Sequence, residues 1–404
     1  MARWKYRDGD DTDDLAKTAK MRPRKRSAKL KKSDADDTFE LSEEKWPDIE
    51  GTFAARVVEV HKRYVFVSKE ETIGNIDTTD VWLGRIARKF LTADRAERNF
   101  VAVGDRVLCR AAEDREIETS SDLPQCVVLN ISPRKSKISR VDPALEDREH
   151  VLATNVEQLL IVASYLAPRI KWGLIDRYIV LAEAERIEPI LIFNKKDLLE
   201  EKRATHPEFY EECADHAAYY RSLGYKVFSV QANDIDKKTK KELEEIFSGK
   251  ISLLSGHSGV GKSSLVNLFN PEIIQDVEPD SDIFYKGRHT TSYASFIRLS
   301  KDGYAIDTPG VRSFLIQERD PIELSYGFLE LRALMGSCAF RECRHVDEPD
   351  CAILKAVEDG KIPQWRYKNY LGIMLRNTGR EGHVKTRAGR NDDFDFDIED
   401  EGDE

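Results

Sequence analysis

Residues 253–264 read Leu-Leu-Ser-Gly-His-Ser-Gly-Val-Gly-Lys-Ser-Ser, and no other stretch constrains the possible fold as tightly. Gly256, four residues, then Gly261-Lys262-Ser263 is a P-loop pattern. An apolar run at 251–254 precedes it and reads as a buried strand; Leu265-Val-Asn-Leu-Phe269 follows and reads as a helix. The pattern works physically only in that context. Its glycines let successive backbone amides turn inward around a phosphate at a helix N-terminus, where the dipole is positive. The candidate phosphate contacts are therefore Gly256, His257, Ser258, Gly259, Val260, Gly261, Lys262, Ser263 and Ser264. Lys262 is expected to bridge the β and γ oxygens and the Ser263 hydroxyl to ligate Mg²⁺. A chance glycine-rich turn is the competing explanation, and the strand and helix on either side argue against it.

Two further motifs agree with the first. Asp307-Thr-Pro-Gly310 follows an apolar run at 304–306, as expected for an Asp that holds Mg²⁺ through water and a Gly whose amide senses the γ-phosphate. Asn194-Lys195-Lys196-Asp197 ends the apolar run at 189–193. The Asp197 carboxylate can accept from guanine N1–H and the 2-amino group, donors that adenine lacks, so the base expected is guanine. Asn194 is expected to touch the base edge and brace the loop, while the Lys195 stem packs on the purine face. In isolation, Asp197 could simply cap a helix in a polar loop. Regulatory GTPases usually carry the P-loop first and the NKxD motif last; here NKKD comes before both the P-loop and DTPG. The domain is circularly permuted, and the segment after Gly310 leads directly into whatever domain follows. A γ-phosphate-dependent shift there is expected to move that neighbour.

Around these motifs the grammar is that of a doubly wound parallel sheet over residues 150–320. Strands are expected at 158–163, 189–193, 226–230, 251–254 and 304–306, and helices at 174–186, 207–223, 237–247 and 262–269. Residues 46–145 differ. Short β-branched runs at 53–60, 64–67, 101–107 and 126–131, separated by polar turns, suggest a small closed barrel. The OB-fold is the common nucleic-acid-binding case, and a barrel with no ligand is the alternative. Four bases at 132–140 suit phosphate contact or a solvated edge.

The formal net charge of −10 seems to disfavour a nucleic-acid partner, but charge is unevenly spread. The acidic end, residues 391–404, holds nine acids and no base, leaving about −1 for everything else. Residues 15–33 hold nine bases and no acid. Residues 1–45 are expected to be a disordered basic arm and residues 377–404 a disordered tail, basic and then acidic. The arm is expected to add salt-sensitive affinity for RNA, and the acidic tail to compete for basic surfaces. No apolar run is long enough to span a bilayer, and the early acids disfavour a transit peptide, so a cytoplasmic protein without a membrane partner is expected.

Cys338-x4-Cys343-x-His345-x5-Cys351 brings three thiols and an imidazole together within fourteen residues. This donor set suits tetrahedral Zn²⁺, and four protein ligands leave no open position, so one structural ion is expected in a helical domain at 321–376. Three scattered cysteines, Cys109, Cys126 and Cys213, read as inert. Lys355, Lys361, Arg366 and Lys368, interleaved with Trp365, Tyr367 and Tyr370, fit either RNA contacts or a solvated helix with aromatic core contacts.

Over residues 50–375 the chain resembles the RsgA (YjeQ/YloQ) family of circularly permuted GTPases. The resemblance is carried by Val103-Gly-Asp-Arg106, Pro133-Arg-Lys-Ser136, Asn194-Lys-Lys-Asp197, the P-loop, Gly287-Arg-His-Thr-Thr291, Asp307-Thr-Pro-Gly310 and the Cys/His cluster. It implies an OB-fold, a GTPase domain and a zinc domain. It also implies hydrolysis of GTP to GDP and phosphate stimulated by the 30S ribosomal subunit, and a late role in small-subunit maturation through 16S rRNA. A monomer is expected. A nucleotide-gated RNA-binding placeholder, whose hydrolysis only times release, is the alternative. The pair Gln231-Ala232 stands where the family has its short guanine-contacting motif, so Ala232 is expected to offer a backbone amide to guanine O6. Val311 follows Gly310 and cannot orient water; His289 is expected to do so, with Thr290 or Thr291 completing the Mg²⁺ shell beside Ser263 and Asp307.

Overall fold

A computed structural model describes residues 50–61, 64–72, 75–87, 100–113, 123–141, 149–269, 295–300, 302–307 and 321–377. The basic arm, the acidic tail, His289, Thr290, Thr291 and Gly310 lie outside them.

The N-terminal strands are β1 (Thr52–Val60), β2 (Val65–Thr72), β3 (Asn75–Ile86), β4 (Arg106–Ala111) and β5 (Gln125–Ile131). They close in the order β1-β2-β3-β5-β4, with β3 and β5 paired parallel and the other pairs antiparallel, which is an OB-type barrel. Alternation puts Ala55, Val57, Val65, Val67, Val107, Cys109 and Val128 inside, with Cys126 beside them. The strand expected at 101–107 begins only at Arg106. Residues 101–103 form a buried loop instead, and Val103 bridges Ala153. The hairpin β6 (Lys137–Val141) and β7 (Glu149–Thr154) carries the chain onward.

The second layer is a six-stranded sheet in the order β10-β9-β8-β11-β13-β12. Its strands are β8 (Gln158–Ser164), β9 (Glu188–Asn194), β10 (Lys226–Ser229), β11 (Ile251–Ser255), β12 (Ser295–Arg298) and β13 (Tyr304–Asp307). All pair parallel except the edge strand β12. Both faces of β8 are buried: Leu159 and Ile161 enter one core, Leu160 and Val162 the other. Each such side chain stabilises by about 1.5–3 kcal/mol. The helices are α1 (Trp172–Ala184), α2 (Lys196–Lys202), α3 (Pro207–Ser222), α4 (Lys237–Phe247) and α5 (Lys262–Phe269). Strand order reverses between β8 and β11, so the C-terminal ends of β8, β9, β11 and β13 share one edge of the sheet. Beyond the sheet come α6 (Pro321–Tyr326), α7 (Leu329–Arg332), α8 (Ala352–Glu358) and α9 (Gln364–Asn377).

Polar seams join these parts. Between barrel and sheet, the fully buried Asp105 accepts a bidentate pair from Arg134 Nε and Nη2 at 2.9 and 2.8 Å. It also accepts from the Ala102 amide and from Thr154 Oγ1, both at 2.8 Å. Asn155 Nδ2 donates to Gly104 O at 2.9 Å. Gly104 has φ +92, and a Cβ there would stand 2.1 Å from Thr154 O, so only glycine closes the seam. Arg134, one of the four bases read as suiting phosphate, is thus committed to a buried carboxylate.

The other seam joins α1 to the C-terminal helices. Arg366, with no exposed surface, donates from Nη1 to Asp176 and from Nε to Glu330 at 2.6 Å. Its guanidinium lies over Phe328 at 4.4 Å and Tyr220 at 5.4 Å. Tyr220 Oη and Asn369 Nδ2 also donate to Asp176. Burial pushes the Asp176 carboxyl up, and Arg366, Tyr220 and Asn369 oppose it. A carboxyl that accepts from three donors and donates to none is the ionised form. Tyr367 and Tyr370 are buried as well. The RNA-reading option for Arg366, Tyr367 and Tyr370 fails because these groups are spent on the interior. The C-terminal domain is bolted to α1, which opposes its swinging freely with the segment after Gly310.

Candidate nucleotide site and metal centre

The P-loop connects β11 to α5, and its shape rests on two backbone positions. Gly256 has φ +147 and a Cβ there would lie 2.1 Å from Val162 O; Gly261 has φ +94 and a Cβ would lie 2.1 Å from Asn194 Nδ2. Asn194 sits at the end of β9, buried, and its amide uses both ends: Nδ2 donates to Val260 O at 2.9 Å and Oδ1 accepts from the Ala232 amide at 3.0 Å. One side chain therefore ties together the three sequence-distant stretches expected to hold base and phosphate. The bracing expected of Asn194 is present in this geometry. The Ala232 amide is engaged by Asn194, so a contact to guanine O6 has to share or replace that bond.

Lys195 has a left-handed backbone, φ 57, where β9 turns into α2. Its ammonium donates to Gly259 O at 2.8 Å and to Ala167 O, which lays the side chain alongside the P-loop. Burial lowers its pKa. Lys196 is exposed and Asp197 half-buried in the first turn of α2. Lys262 Nζ reaches back to Gly256 O and His257 O at 2.9 and 3.0 Å, over the concave side of the loop. His257 is exposed, with Nδ1 3.0 Å from Ser258 O, and Ser258, Ser263 and Ser264 are half-buried. Asp307 ends β13, paired with Leu254 at the base of the loop. Ser263 and Asp307 offer hard oxygen donors at the same sheet edge, a set that suits Mg²⁺.

The loop after β8 carried no recognisable motif, yet it borders the site. Tyr165 Oη shares a 2.7 Å hydrogen bond with Ser229 Oγ, and burial raises its pKa to about 12. Ala167 O meets Lys195, and Pro168 stands opposite Gly259.

In the C-terminal domain, the ligand atoms of Cys338, Cys343, His345 and Cys351 lie within 4.8 Å of one another. Cys338 and Cys351 sulphurs are 3.8 Å apart, and His345 Nδ1 is 3.5 and 3.4 Å from them. Zn–S bonds of about 2.3 Å in a tetrahedron require sulphurs roughly 3.8 Å apart, so the donors fit zinc. Burial raises the Cys343 and Cys351 thiols and lowers His345, keeping the imidazole neutral and able to ligate. The loop is braced from outside. Tyr367 Oη donates to His345 O and Tyr370 Oη to Arg344 O, both at 2.7 Å, and Glu348 accepts the Arg344 and Val346 amides at 2.7 and 2.8 Å.

A permuted sheet with a P-loop at its reversal point, flanked by an OB barrel and a Cys3His domain, defines a circularly permuted P-loop GTPase. A family model described as RsgA GTPase matches residues 131–317. The protein of Flavobacterium johnsoniae named small ribosomal subunit biogenesis GTPase RsgA is 36% identical over 302 residues, covering 75% of this chain and 88% of that one. The protein of Mannheimia succiniciproducens with the same name is 34% identical over 270 residues, covering 67% of this chain and 72% of its own length. Among solved structures, YjeQ from Thermotoga maritima matches with TM-score 0.59 and 29% identity over 81% of this chain and 99% of that one. YloQ, titled a circularly permuted GTPase, matches with TM-score 0.60 and 26% identity over 84% and 99%. The chain belongs to the RsgA GTPase family and is a GTP-hydrolysing enzyme.

Proposed function

We propose that this chain acts in the cytoplasm in late maturation of the small ribosomal subunit, docking on 16S rRNA of the 30S subunit and hydrolysing GTP when docked. The observation that carries the reading is the Asn194 cross-link, which unites the base motif, the P-loop and Ala232 in a domain placed between a barrel and a Cys3His module. The relatives' names support the ribosomal role, and family membership disfavours the placeholder alternative. The barrel adds a suitable surface. His61 and Tyr64 stack at 4.8 Å at the β1–β2 turn, both edge-on to Phe66 at 5.3 and 5.6 Å, and Lys62 and Arg63 lie between them in sequence. Stacked rings beside bases are the means by which OB barrels hold unpaired nucleotides.

In this reading Asp197 accepts from guanine N1–H and the 2-amino group, Lys195 covers the purine face, and the P-loop amides with Lys262 draw charge off the β and γ phosphates. Ser263 and Asp307, with Thr290 or Thr291, would hold Mg²⁺, which when bound neutralises phosphate charge. The Gly310 amide senses the γ-phosphate and His289 orients the attacking water; both are assigned from sequence. Cys338, Cys343, His345 and Cys351 would hold one zinc ion, whose chemistry is structural. Intrinsic turnover is expected to be slow, with docking supplying the activation. Turnover of GTP with and without purified 30S subunits tests the reading. Stimulation on the order of tenfold or more is expected, and its absence would overturn the ribosomal assignment.

A further inference from the structure

The end of β9 that presents Asn194 and Lys195 is held from behind by aromatic rings. Phe193 is fully buried, with Tyr165 and Trp172 each 5.6 Å away, edge to face, and Tyr220 at 6.5 Å. The Trp172 indole is fixed in turn, Nε1 donating to Glu212 Oε1 at 3.3 Å. Behind it, at 6.3 Å, stands Trp365. Trp365 is not part of the nucleotide-binding domain. It belongs to α9 of the Cys3His domain, one residue before the buried Arg366. It also packs on His216 at 3.8 Å, Tyr219 at 5.7 Å and Tyr220 at 5.8 Å, reaching into the core under the sheet.

We propose that Trp365 is a positioning residue for guanine recognition, supplied by the C-terminal domain and acting through Trp172 and Phe193 on the Asn194–Asp197 loop. The inference rests on the reading that this loop holds the base. Recognition by a carboxylate that must meet two donors at once tolerates a displacement of only about half an ångström. The ring stack sets the rear boundary of β9 at that point. The phosphate end of the site is built on β11 and α5 and meets this loop at one remove, through the bonds of Asn194 to Val260 O and of Lys195 to Gly259 O. Loss of the ring therefore weakens discrimination at the base more than grip on the phosphates. The coupling is reciprocal: guanine binding steadies α9, and a partner that grips the C-terminal domain and shifts α9 loosens the base. The domain thereby gains a role in nucleotide release.

The test uses the full-length, zinc-loaded chain and two nucleotides, GDP and IDP. Inosine lacks the 2-amino group and forfeits one of the two hydrogen bonds to Asp197. Dissociation constants are measured by calorimetry for wild type, Trp365→Ala, Trp365→Leu and Trp365→Phe. The wild type prefers GDP. In the Ala and Leu variants the preference for GDP over IDP is expected to fall about threefold or more, the worth of an aromatic contact, and Phe is expected to restore it. If Trp365→Ala loses its zinc, the Leu variant, which keeps bulk without a ring, decides. An unchanged preference in a variant that keeps one zinc per chain would overturn the proposal, as would an equal loss for both nucleotides. Asp197→Asn serves as the control: its shift toward xanthine nucleotide verifies the base loop separately from the ring relay.

Discussion

Removing the guanidinium of Arg366 tests how the C-terminal domain is held. Arg366 and Asp176 have fully buried side chains and Glu330 is 7% exposed. Arg366→Met fills similar space and leaves two carboxyl groups without their cation. Asp176 keeps Tyr220 and Asn369 as donors, but Arg366 is the main opponent of its desolvation. Breaking a buried ion pair from one side costs about 3–5 kcal/mol. Replacing Asp176 as well, as in Arg366→Met with Asp176→Leu, returns part of that by removing the fully buried carboxylate, while Glu330 stays without its cation. Urea unfolding followed by tryptophan emission reads the seam, since Trp365 and Trp172 flank it. The cost has a defined pH dependence. In Arg366→Met the buried Asp176 carboxyl, having lost the main opponent of its desolvation, ionises only above its unfolded-state range, so the destabilisation is full near pH 7 and shrinks as the pH falls and it takes up a proton. A loss under about 1 kcal/mol at pH 7, or one that does not shrink in acid, would refute the view that paired charge holds this seam.

Gly261→Ala drives a methyl into Asn194 Nδ2 at a left-handed position, and GDP affinity is expected to drop by about tenfold or more by calorimetry. Glu188 links the start of β9 to β10 and β11 through Lys226 at 2.6 Å and Lys250 at 3.0 Å. Burial opposes its ionisation, yet hydrogen bonds from Lys226, Lys250 and Gln158 hold its pKa at about 2. A depressed acid stabilises above its unfolded value and loses that contribution as pH falls through its folded one. Thermal melts should show wild type losing more stability than Glu188→Gln between the ordinary carboxylate range and about pH 2; parallel curves would refute the linkage.

The sheet was legible because β8, β9 and β11 are apolar on both faces, and because glycine and lysine spacing at a P-loop has few other uses. The expected strands and helices there match the observed ones to within a residue or two. β3 escaped because Asn75–Ile86 carries two aspartates and two threonines in its first six residues, which reads as a turn. The β6–β7 hairpin escaped because Lys137–Val141 carries two bases and a serine among its five residues, too polar and too short to stand out as a strand. The site's motifs could be read, but not the ring stack or the loop at 165–168, since neither has a local signature. The hardest residues were the buried arginines. Arg366 finds Asp176 at a separation of 190 residues, and Arg134 finds Asp105 across 29. A charge on a helix or loop looks solvated until its distant partner is known, so both arginines read as either nucleic-acid contacts or solvated surface, and neither reading included a buried ion pair.

The barrel is fastened at Thr154 and Asn155, immediately before β8, and the C-terminal domain at Asp176, within α1. Both fastenings fall on residues 154–176, one continuous stretch that also contains the loop bordering the P-loop. These residues act as a common chassis. Force applied to the barrel and force applied to the C-terminal domain both reach this short segment, which lies beside the P-loop. Permutation thus does more than reorder motifs: by placing β8 and α1 first in the domain, it gives the two accessory domains neighbouring anchors, at Thr154 and Asn155 and at Asp176, beside the mouth of the site.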